Sequence, residues 1–309
     1  MSDARPVIEI NDLRVEYNAD VGKRIVAVDG LSLSVKPGEV VGFIGPNGAG
    51  KSTTVKALMG FQRPTGGTAR IFDLPAGAVA ARKRVGFLPE VALYYPFLTA
   101  RETLRMFAKL REIPRNERES VIDHLLELVN LQGRDNEPVR RFSKGMLQRV
   151  GIAQAIMGEP DLLVLDEVTS GLDPVARYDV RNVLMNFKAK GKTVFFSSHE
   201  LSEVTMLCDR VILIDNGKVI EEDSIDNLVS SVKRYILRAE NFHPPSELPN
   251  GVYVQDVRNG GTTFSAENPE ARDDLRKFLN SLDVQPSDER EEQGSLEDVF
   301  VRSIGHKVS

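Results

Sequence analysis

The chain has 309 residues, of which 41% are hydrophobic and 28% are charged, so it is a folded protein with room for one large domain and a smaller one. Its formal net charge of -5 gives no broad positive field, which argues against nucleic acid as a partner. The single cysteine, Cys208, excludes an internal disulfide framework and fits a reducing compartment.

Membrane-spanning and secretory segments are not expected from the sequence. No apolar run approaches the ~18 residues that a membrane-spanning helix needs, and the first residues lack the apolar core of a secretory signal. We therefore expect a cytoplasmic protein, with any role at a membrane exerted through a partner.

Short runs of residues predict two kinds of strand. Residues 7–35 are rich in β-formers, and residues 31–35 alternate apolar and polar as a half-buried antiparallel strand does. Residues 40–44, 162–165 and 193–196 are apolar without alternation, which is typical of parallel strands buried on both faces. We predict an N-terminal antiparallel β subdomain and a parallel sheet core.

Helical patterns separate the first two buried strands. Thr99 and Glu102 have the spacing of a capping box, and the residues after them carry apolar stripes. A helical subdomain inserted at about residues 91–159 is therefore predicted. Further along, Asp173 followed by Pro174 is a helix start, which predicts a crossover helix between two parallel strands.

The C-terminal part of the chain has a different character. Asn216 and Gly217 predict a hairpin turn, and beyond them come a short strand, a proline-containing loop and two helical patterns. Residues 288–292 are interpreted as an acidic low-complexity segment. We predict one domain over residues 1–228 and an accessory α+β domain over residues 229–309.

A glycine-rich segment lies between the first buried strand and a helical pattern. It matches G-x-x-x-x-G-K-[ST], in which glycines let backbone N–H groups approach phosphate oxygens and the following helix dipole attracts the anion. The lysine is expected to hold the β- and γ-phosphates and the serine to ligate Mg²⁺. The nucleotide-binding residues predicted here are Gly45, Pro46, Asn47, Gly48, Ala49, Gly50, Lys51, Ser52 and Thr53.

Two carboxylates end the second buried strand. Asp166 and Glu167 lie where parallel α/β sheets collect their ligands. Asp166 is predicted to anchor Mg²⁺ together with Ser52, and Glu167 to orient and deprotonate an attacking water. An Asp-Glu pair alone is more often a solvated strand end, but its position about 115 residues after Lys51 favours the catalytic interpretation.

A third motif lies at residues 142–149, whose sequence FSKGMLQR precedes a helical pattern. Here the chain resembles the ABC ATPase family, whose signature is usually written LSGGQ. The resemblance implies that Ser143 and Gly145 face the γ-phosphate held by a second copy. The segment ending at Asp173 is similar to the family's D-loop, and His199, after the third buried strand, is similar to its switch histidine.

Other positions match the family's pattern only in part. Tyr17 resembles the aromatic residue that stacks on adenine, although a core tyrosine is the alternative. Glu90 stands where the family usually has glutamine, and a carboxylate oxygen can serve Mg²⁺ as well as an amide oxygen, so Glu90 is expected beside the metal. Val168, Lys144 and Met146 also depart from the pattern, but they remove no group that the chemistry requires.

An apolar, aromatic-rich run follows at residues 91–98. It suits docking of a cytoplasmic helix of a membrane permease, or it forms the small core of the helical insertion, and the sequence leaves both open. The GFLPE and SKGM variants look most like the branch of the family that is paired with ABC-2-type permeases, most of which are exporters.

The sequence thus predicts an α/β fold, a P-loop NTPase with a RecA-like parallel sheet core, an N-terminal antiparallel β subdomain, a helical insertion and a small C-terminal α+β appendage. The resemblance implies an ATP- and Mg²⁺-dependent ATPase with Lys51, Glu90, Glu167 and His199 as catalytic residues. Two copies would form an ATP-sandwich homodimer on the inner face of the cell membrane and drive a separate ABC-2-type permease. The rivals are an ABC ATPase that works without a permease and a nucleotide-binding regulator that no longer hydrolyses ATP.

Overall fold

The computed structural model describes residues 5–18, 24–245, 247–258 and 260–305. The chain divides into two compact units, residues 1–223 and residues 224–309. Each unit has a hydrophobic core of its own. The domain boundary predicted after residue 228 falls inside a helix, Ile225–Ser230, and that division of the chain stays a prediction.

The first unit contains two sheets and their helices. Its strands are β1 (Ile8–Asn18), β2 (Arg24–Val35), β3 (Val40–Ile44), β4 (Gly66–Ile71), β5 (Leu74–Pro75), β6 (Val85–Leu88), β7 (Leu162–Asp166), β8 (Thr193–Ser198), β9 (Arg210–Asp215) and β10 (Lys218–Ser224). Its helices are α1 (Lys51–Leu58), α2 (Val79–Lys83), α3 (Ala100–Leu110), α4 (Arg118–Leu128), α5 (Lys144–Ile156), α6 (Pro174–Ala189) and α7 (Leu201–Leu207), with a 3₁₀ turn at Val139–Arg141.

A four-stranded antiparallel sheet forms the N-terminal part of this unit, in the order β2-β1-β4-β5. Ile10 pairs with Leu33 and Val15 with Val28, and all four side chains are buried. Alternating residues of β1 and β2 therefore face the core while their neighbours face solvent, as the period of a half-buried strand requires. The predicted antiparallel β subdomain is confirmed.

The second sheet has six strands in the order β10-β9-β3-β8-β7-β6. From β9 to β6 each strand pairs in parallel with its neighbour, and every residue of β3, β7 and β8 is buried. This confirms the three predicted central strands and the α/β class. Because β8 lies between β3 and β7, the carboxyl ends of these three strands meet at one edge.

Local capping signals position the helices that flank this sheet. Thr99 Oγ1 accepts the N–H of Glu102 at 3.1 Å and Glu102 Oε2 accepts the N–H of Thr99 at 2.8 Å, which confirms the capping box of α3. Asp173 caps α6, with Pro174 as its first residue. Asn216 and Gly217 both have positive φ, as a tight hairpin turn between β9 and β10 requires.

The second unit is a small α+β domain. It contains α8 (Ile225–Ser230), β11 (Lys233–Ala239), β12 (Val252–Arg258), β13 (Gly261–Ala266), α9 (Pro269–Ser281), β14 (Asp288–Gln293) and α10 (Leu296–Gly305). The strand order is β12-β13-β11-β14. Buried side chains of the sheet and of α9 form its core, among them Leu237, Phe264 and Leu275.

The interpretation of residues 288–292 as an acidic low-complexity segment is wrong, because these residues form most of β14. The strand pairs along β11 at the edge of the sheet, and its side chains are largely exposed, so no apolar alternation is needed. Glu291 forms an ion pair with Lys233 on β11, and Glu289 forms one with Arg276 on α9. The strand is thus held by its backbone pairing with β11, and its charged side chains form ion pairs with a strand and a helix.

Within the part of the chain that the structure describes, no helix combines the length and the apolar character needed to cross a membrane.

Candidate functional site

The glycine-rich loop joins the end of β3 to the first residue of α1. Gly50 precedes α1 with φ of 104°, and a Cβ atom at this position would lie 2.5 Å from the carbonyl oxygen of Ala27. Only glycine satisfies both the left-handed backbone and this close approach. The loop borders a cavity of about 600 Å³ that is lined by Ala27, Pro46, Asn47, Gly48, Gly50, Lys51, Ser52, Thr53, Glu90, Glu167, Ser170 and His199.

Lys51 lies at the centre of this cavity and is almost fully buried. Its Nζ donates to the carbonyl oxygen of Gly45 at 2.7 Å and to that of Pro46 at 3.3 Å, and it lies 3.3 Å from Glu167 Oε1. The ammonium group thus lies against the glycine-rich loop, at the N-terminus of α1. This arrangement is suited to an anion with several oxygens, because the lysine charge and the helix dipole attract it together.

The two predicted carboxylates lie at the carboxyl end of β7, and Ser197 of β8 connects them. Ser197 Oγ donates to Asp166 Oδ1 at 2.5 Å and accepts the N–H of Glu167 at 3.1 Å. Ser52 Oγ donates to the same oxygen of Asp166 at 3.3 Å. The two residues that the sequence predicts to ligate Mg²⁺ are therefore adjacent, and their binding of the metal stays a prediction.

Glu167 has an unusual backbone and a fixed side chain. Its φ of 51° lies in the left-handed region, which costs a residue with a side chain about 1–3 kcal/mol and is found where surrounding contacts hold it. Its Oε2 lies 2.5 Å from Nδ1 of His199, which follows β8. The strand order thus brings Glu167, His199 and Lys51 to one wall of the cavity, and such a strained, buried carboxylate is typical of a site that performs chemistry.

Glu90 and Tyr17 occupy different positions relative to the cavity. Glu90 follows β6, is exposed and lines the cavity. Tyr17 does not line it: the side chain packs against the core of the first unit, and its Oη donates to Thr53 Oγ1 at 3.3 Å. Tyr17 thus contacts Thr53, which lines the cavity, but does not line the cavity itself. Stacking of Tyr17 on an adenine ring stays a prediction.

Ser143, Gly145 and Asp173 do not line the cavity either. Ser143 caps α5, where its Oγ accepts the N–H of Met146 at 3.3 Å, and Asp173 caps α6 by accepting the N–H of Ala176 at 2.8 Å. A Cβ added to Gly145 would lie 3.2 Å from the Cβ of Ala176, so the N-termini of α5 and α6 are adjacent. The cavity and the cluster at these two helix N-termini are therefore separate places in one chain, and a role of the cluster in nucleotide binding stays a prediction.

Sequence reasoning missed three residues of the site. Ala27 and Ser170 line the cavity, and Ser197 donates to the Asp166 carboxylate and accepts the backbone N–H of Glu167. A serine inside an apolar strand next to a carboxylate-ended strand is the one signal that could have identified Ser197. Ala27 and Ser170 belong to no recognisable motif, and only the folded structure shows that they line the cavity.

The donor set fits Mg²⁺ only in company with a nucleotide. Among the described residues there is no group of three or more His, Cys, Asp or Glu side chains placed to hold a metal by themselves. Mg²⁺ in nucleotide sites needs one or two protein oxygen ligands, with phosphates and water completing the octahedron. Ser52 and Asp166 supply such a pair, and Glu90 offers a further carboxylate at the cavity rim.

The chain is similar to known proteins over nearly all of its length. Residues 28–170 match the family described as ABC transporter. The chain is 36% identical to the bacitracin transport ATP-binding protein BcrA of Bacillus licheniformis, with 97% of each chain covered. It is 37% identical to the Nod factor export ATP-binding protein I of Paraburkholderia xenovorans (strain LB400), with 97% of this chain and 98% of that one covered.

A solved structure shares the architecture of the first unit. The dimeric structure of MJ0796, a bacterial ABC transporter cassette, is 25% identical to this chain, with a TM-score of 0.65 over 70% of this chain and 98% of that one.

Replacing Lys51 tests the cavity as a nucleotide site. We expect Lys51→Met to weaken ATP binding at least about tenfold, because the variant loses a charge-assisted contact to phosphate. Titration with a fluorescent ATP analogue measures this. The control is Lys56→Met, on an exposed position of the same helix, which should bind as the parent does. Equal affinity of the two variants would contradict the assignment.

Proposed function

The chain belongs to the ABC transporter family as an ATP-binding subunit that hydrolyses ATP, and on this premise we propose that two copies close head to tail on ATP to drive a separate membrane permease. In this dimer the cavity of one copy faces Ser143 and Gly145 of the other. ATP then lies between these two half-sites, and two such composite sites form in each dimer.

One observation carries the proposal: the cavity and the cluster at the N-termini of α5 and α6 are separate within a single chain. The cavity supplies Lys51 and the carboxylates, and the cluster supplies a hydroxyl and free N–H groups that favour an anion. Neither encloses a triphosphate alone. The dimeric state of the MJ0796 cassette supports the same arrangement.

The residues of the cavity divide the chemistry among them. Lys51 and the loop N–H groups hold the β- and γ-phosphates, and Tyr17 lies beside the adenine end. Ser52, Asp166 and Glu90 would hold Mg²⁺, which would supply positive charge to offset that of the phosphates. Glu167 orients the attacking water and accepts its proton, and His199 donates a hydrogen bond to the γ-phosphate.

Binding of ATP must rearrange two contacts in this scheme. The Lys51 ammonium exchanges the oxygen of Glu167 for phosphate oxygens, which leaves the Glu167 carboxylate available to water. His199 contacts the other carboxylate oxygen of Glu167, Oε2, and so fixes the orientation of the carboxylate. Loss of phosphate after hydrolysis restores the pairing of Lys51 with Glu167, and the dimer reopens.

Two copies of the chain act at the inner face of the cell membrane, bound to a permease through residues 91–97. Alternate side chains of this segment are exposed: Val91, Leu93, Tyr95 and Phe97 have exposed fractions of 66%, 90%, 57% and 67%. Tyr94 between them packs inward, with its ring 6.4 Å from that of Phe107. The inward residue thus serves the core of the insertion, and the outward residues form an apolar patch of the kind that a partner covers.

We take the permease to be of the ABC-2 type and the direction to be export. The GFLPE and SKGM variants point to that branch, and the export and bacitracin-transport names of two full-length relatives agree with it. The rival of a regulator without hydrolysis is disfavoured, because Lys51, Glu167 and His199 meet in the geometry that hydrolysis needs.

Replacing Glu167 tests the hydrolytic part of the proposal. We expect Glu167→Gln to bind ATP with affinity close to that of the parent and to lose turnover by at least about a hundredfold, since an amide cannot accept the proton from water. Phosphate release and ATP binding are measured on the same preparation. Glu127→Gln, on an exposed position of α4, serves as the control. Hydrolysis at the parent rate in Glu167→Gln would refute the role of this residue.

Replacing the exposed aromatics tests the permease surface. Tyr95→Ala combined with Phe97→Ala should abolish copurification with the co-expressed permease and leave the ATPase activity of the isolated chain unchanged, because neither ring lines the cavity. Tyr253→Ala, at a tyrosine of matched exposure in the second unit, should copurify normally. Intact complex formation in the double variant would show that residues 91–97 serve the insertion alone.

A further inference from the structure

Two exposed side chains of opposite charge belong to the two half-sites, one to each. Glu90 lies at the rim of the cavity, and Lys144 is the first residue of α5. Among the residues that the structure describes, neither has an oppositely charged group within 4.0 Å. Arg177, for comparison, is paired with Glu200. Glu90 and Lys144 are therefore available to pair with each other if two copies of the chain bring them together.

Lys144 lies in an unfavourable place for a cation. It begins a helix of 13 residues, where the positive end of the helix dipole repels an ammonium group. Its side chain extends across Gly171, which has φ of 66°, and a Cβ atom at Gly171 would lie 2.7 Å from Lys144 Nζ. The ammonium group is thus held over the loop that leads to Asp173, on the same surface as Ser143.

The cavity has the opposite imbalance. Its twelve lining residues include one lysine, Lys51, and two carboxylates, Glu90 and Glu167, with Asp166 directly behind Ser52. The phosphates of ATP add further negative charge, and Mg²⁺ offsets only part of it. Like charges brought together at a water-poor interface repel strongly, so a further cation beside the helix N–H groups would favour closure of the dimer on this cavity.

We propose that Lys144 of one copy supplies this cation, lying against Glu90 and the γ-phosphate in the cavity of the other copy. The proposal rests on the proposed head-to-tail dimer and deepens it. Lys144 and Glu90 of the same chain belong to different half-sites, so their pairing requires two copies. The charge of Glu90 at the cavity rim and the charge of Lys144 at the helix start then compensate each other in the closed state.

This pairing gives Lys144 a positioning role. It draws the half-site of α5 onto a cavity that holds a nucleotide with a γ-phosphate, and a cavity holding ADP offers less negative charge to the ammonium group. Lys144 thus makes closure depend on the triphosphate, and the attraction weakens as salt concentration rises.

Charge reversal in two separate chains tests the pairing. All chains carry Glu167→Gln, so that the closed dimer is not consumed by hydrolysis. One chain carries Glu90→Lys and another carries Lys144→Glu, and ATP-dependent dimerisation is measured by analytical ultracentrifugation. Each variant alone should dimerise at least about tenfold more weakly than the Glu167→Gln parent, because like charges then face each other in both sites.

An equal mixture of the two variants should dimerise at least about threefold more strongly than either variant alone. In the mixed dimer one site has the original pair and the other has the same pair with the charges exchanged, so residues 90 and 144 have opposite charges in both sites. Recovery stays short of the parent, because the exchanged site places the carboxylate of Lys144→Glu beside the γ-phosphate and the ammonium group of Glu90→Lys beside Mg²⁺. No restoration in the mixture, or no weakening in either variant alone, would overturn the proposed pairing.

Controls separate this proposal from the one on which it rests. Lys109→Glu reverses an exposed lysine of α3 and should leave dimerisation unchanged. If the Glu167→Gln parent itself does not dimerise with ATP, the head-to-tail dimer fails. If only the mixture fails to recover, the dimer stands without the Lys144–Glu90 pair.

Should a charge-reversed variant unfold, the neutral substitutions Glu90→Gln and Lys144→Met replace the charge reversals. Lys144→Met alone should weaken the dimer, and adding Glu90→Gln should recover part of the loss.

Discussion

The ammonium group of Lys51 and the carboxylate of Glu167 lie 3.3 Å apart at the carboxyl edge of the six-stranded sheet, and both are almost fully buried. Such a buried pair is stable only when the geometry is fixed on both sides. The loop carbonyls of Gly45 and Pro46 fix the lysine, while Ser197 and His199 fix the glutamate. The strand order β3-β8-β7 supplies all of these groups from three adjacent strand ends.

This arrangement gives a physical reason for the division of the site between two chains that we propose. A cavity already lined by carboxylates attracts a triphosphate only through the loop N–H groups, Lys51 and Mg²⁺, and one side of the phosphates remains open to water. The N-terminus of α5, which Ser143 caps, favours an anion, whereas the N-terminus of α6 already has the carboxylate of Asp173. The nucleotide thus completes two surfaces, and its hydrolysis removes the group that holds them together.

The sequence predicted those parts of the fold and site that depend on local chemistry. The loop of residues 45–52 is recognisable because one contiguous segment carries both its backbone geometry and its ligands. The placement of Asp166 and Glu167 at the carboxyl edge of the sheet follows from the rule that ligands collect there, whereas the contact of Glu167 with His199 was not predicted. Ser197 could not be identified from a local motif, because its role depends on β8 lying between β3 and β7. No single segment of the sequence determines that strand order. β14 was missed because its side chains are charged and largely exposed, so its pairing with β11 leaves no pattern of apolar residues in the sequence.

A disulfide cross-link across the proposed composite site tests the head-to-tail dimer directly. One chain carries Asn47→Cys at the phosphate loop and another carries Ser143→Cys at the start of α5, both with Cys208→Ala and Glu167→Gln. Oxidation of the mixed chains should give a covalent dimer with ATP and little without nucleotide, because only the closed dimer brings the two cysteines together. No covalent dimer with ATP, or an equal yield without it, would contradict the account.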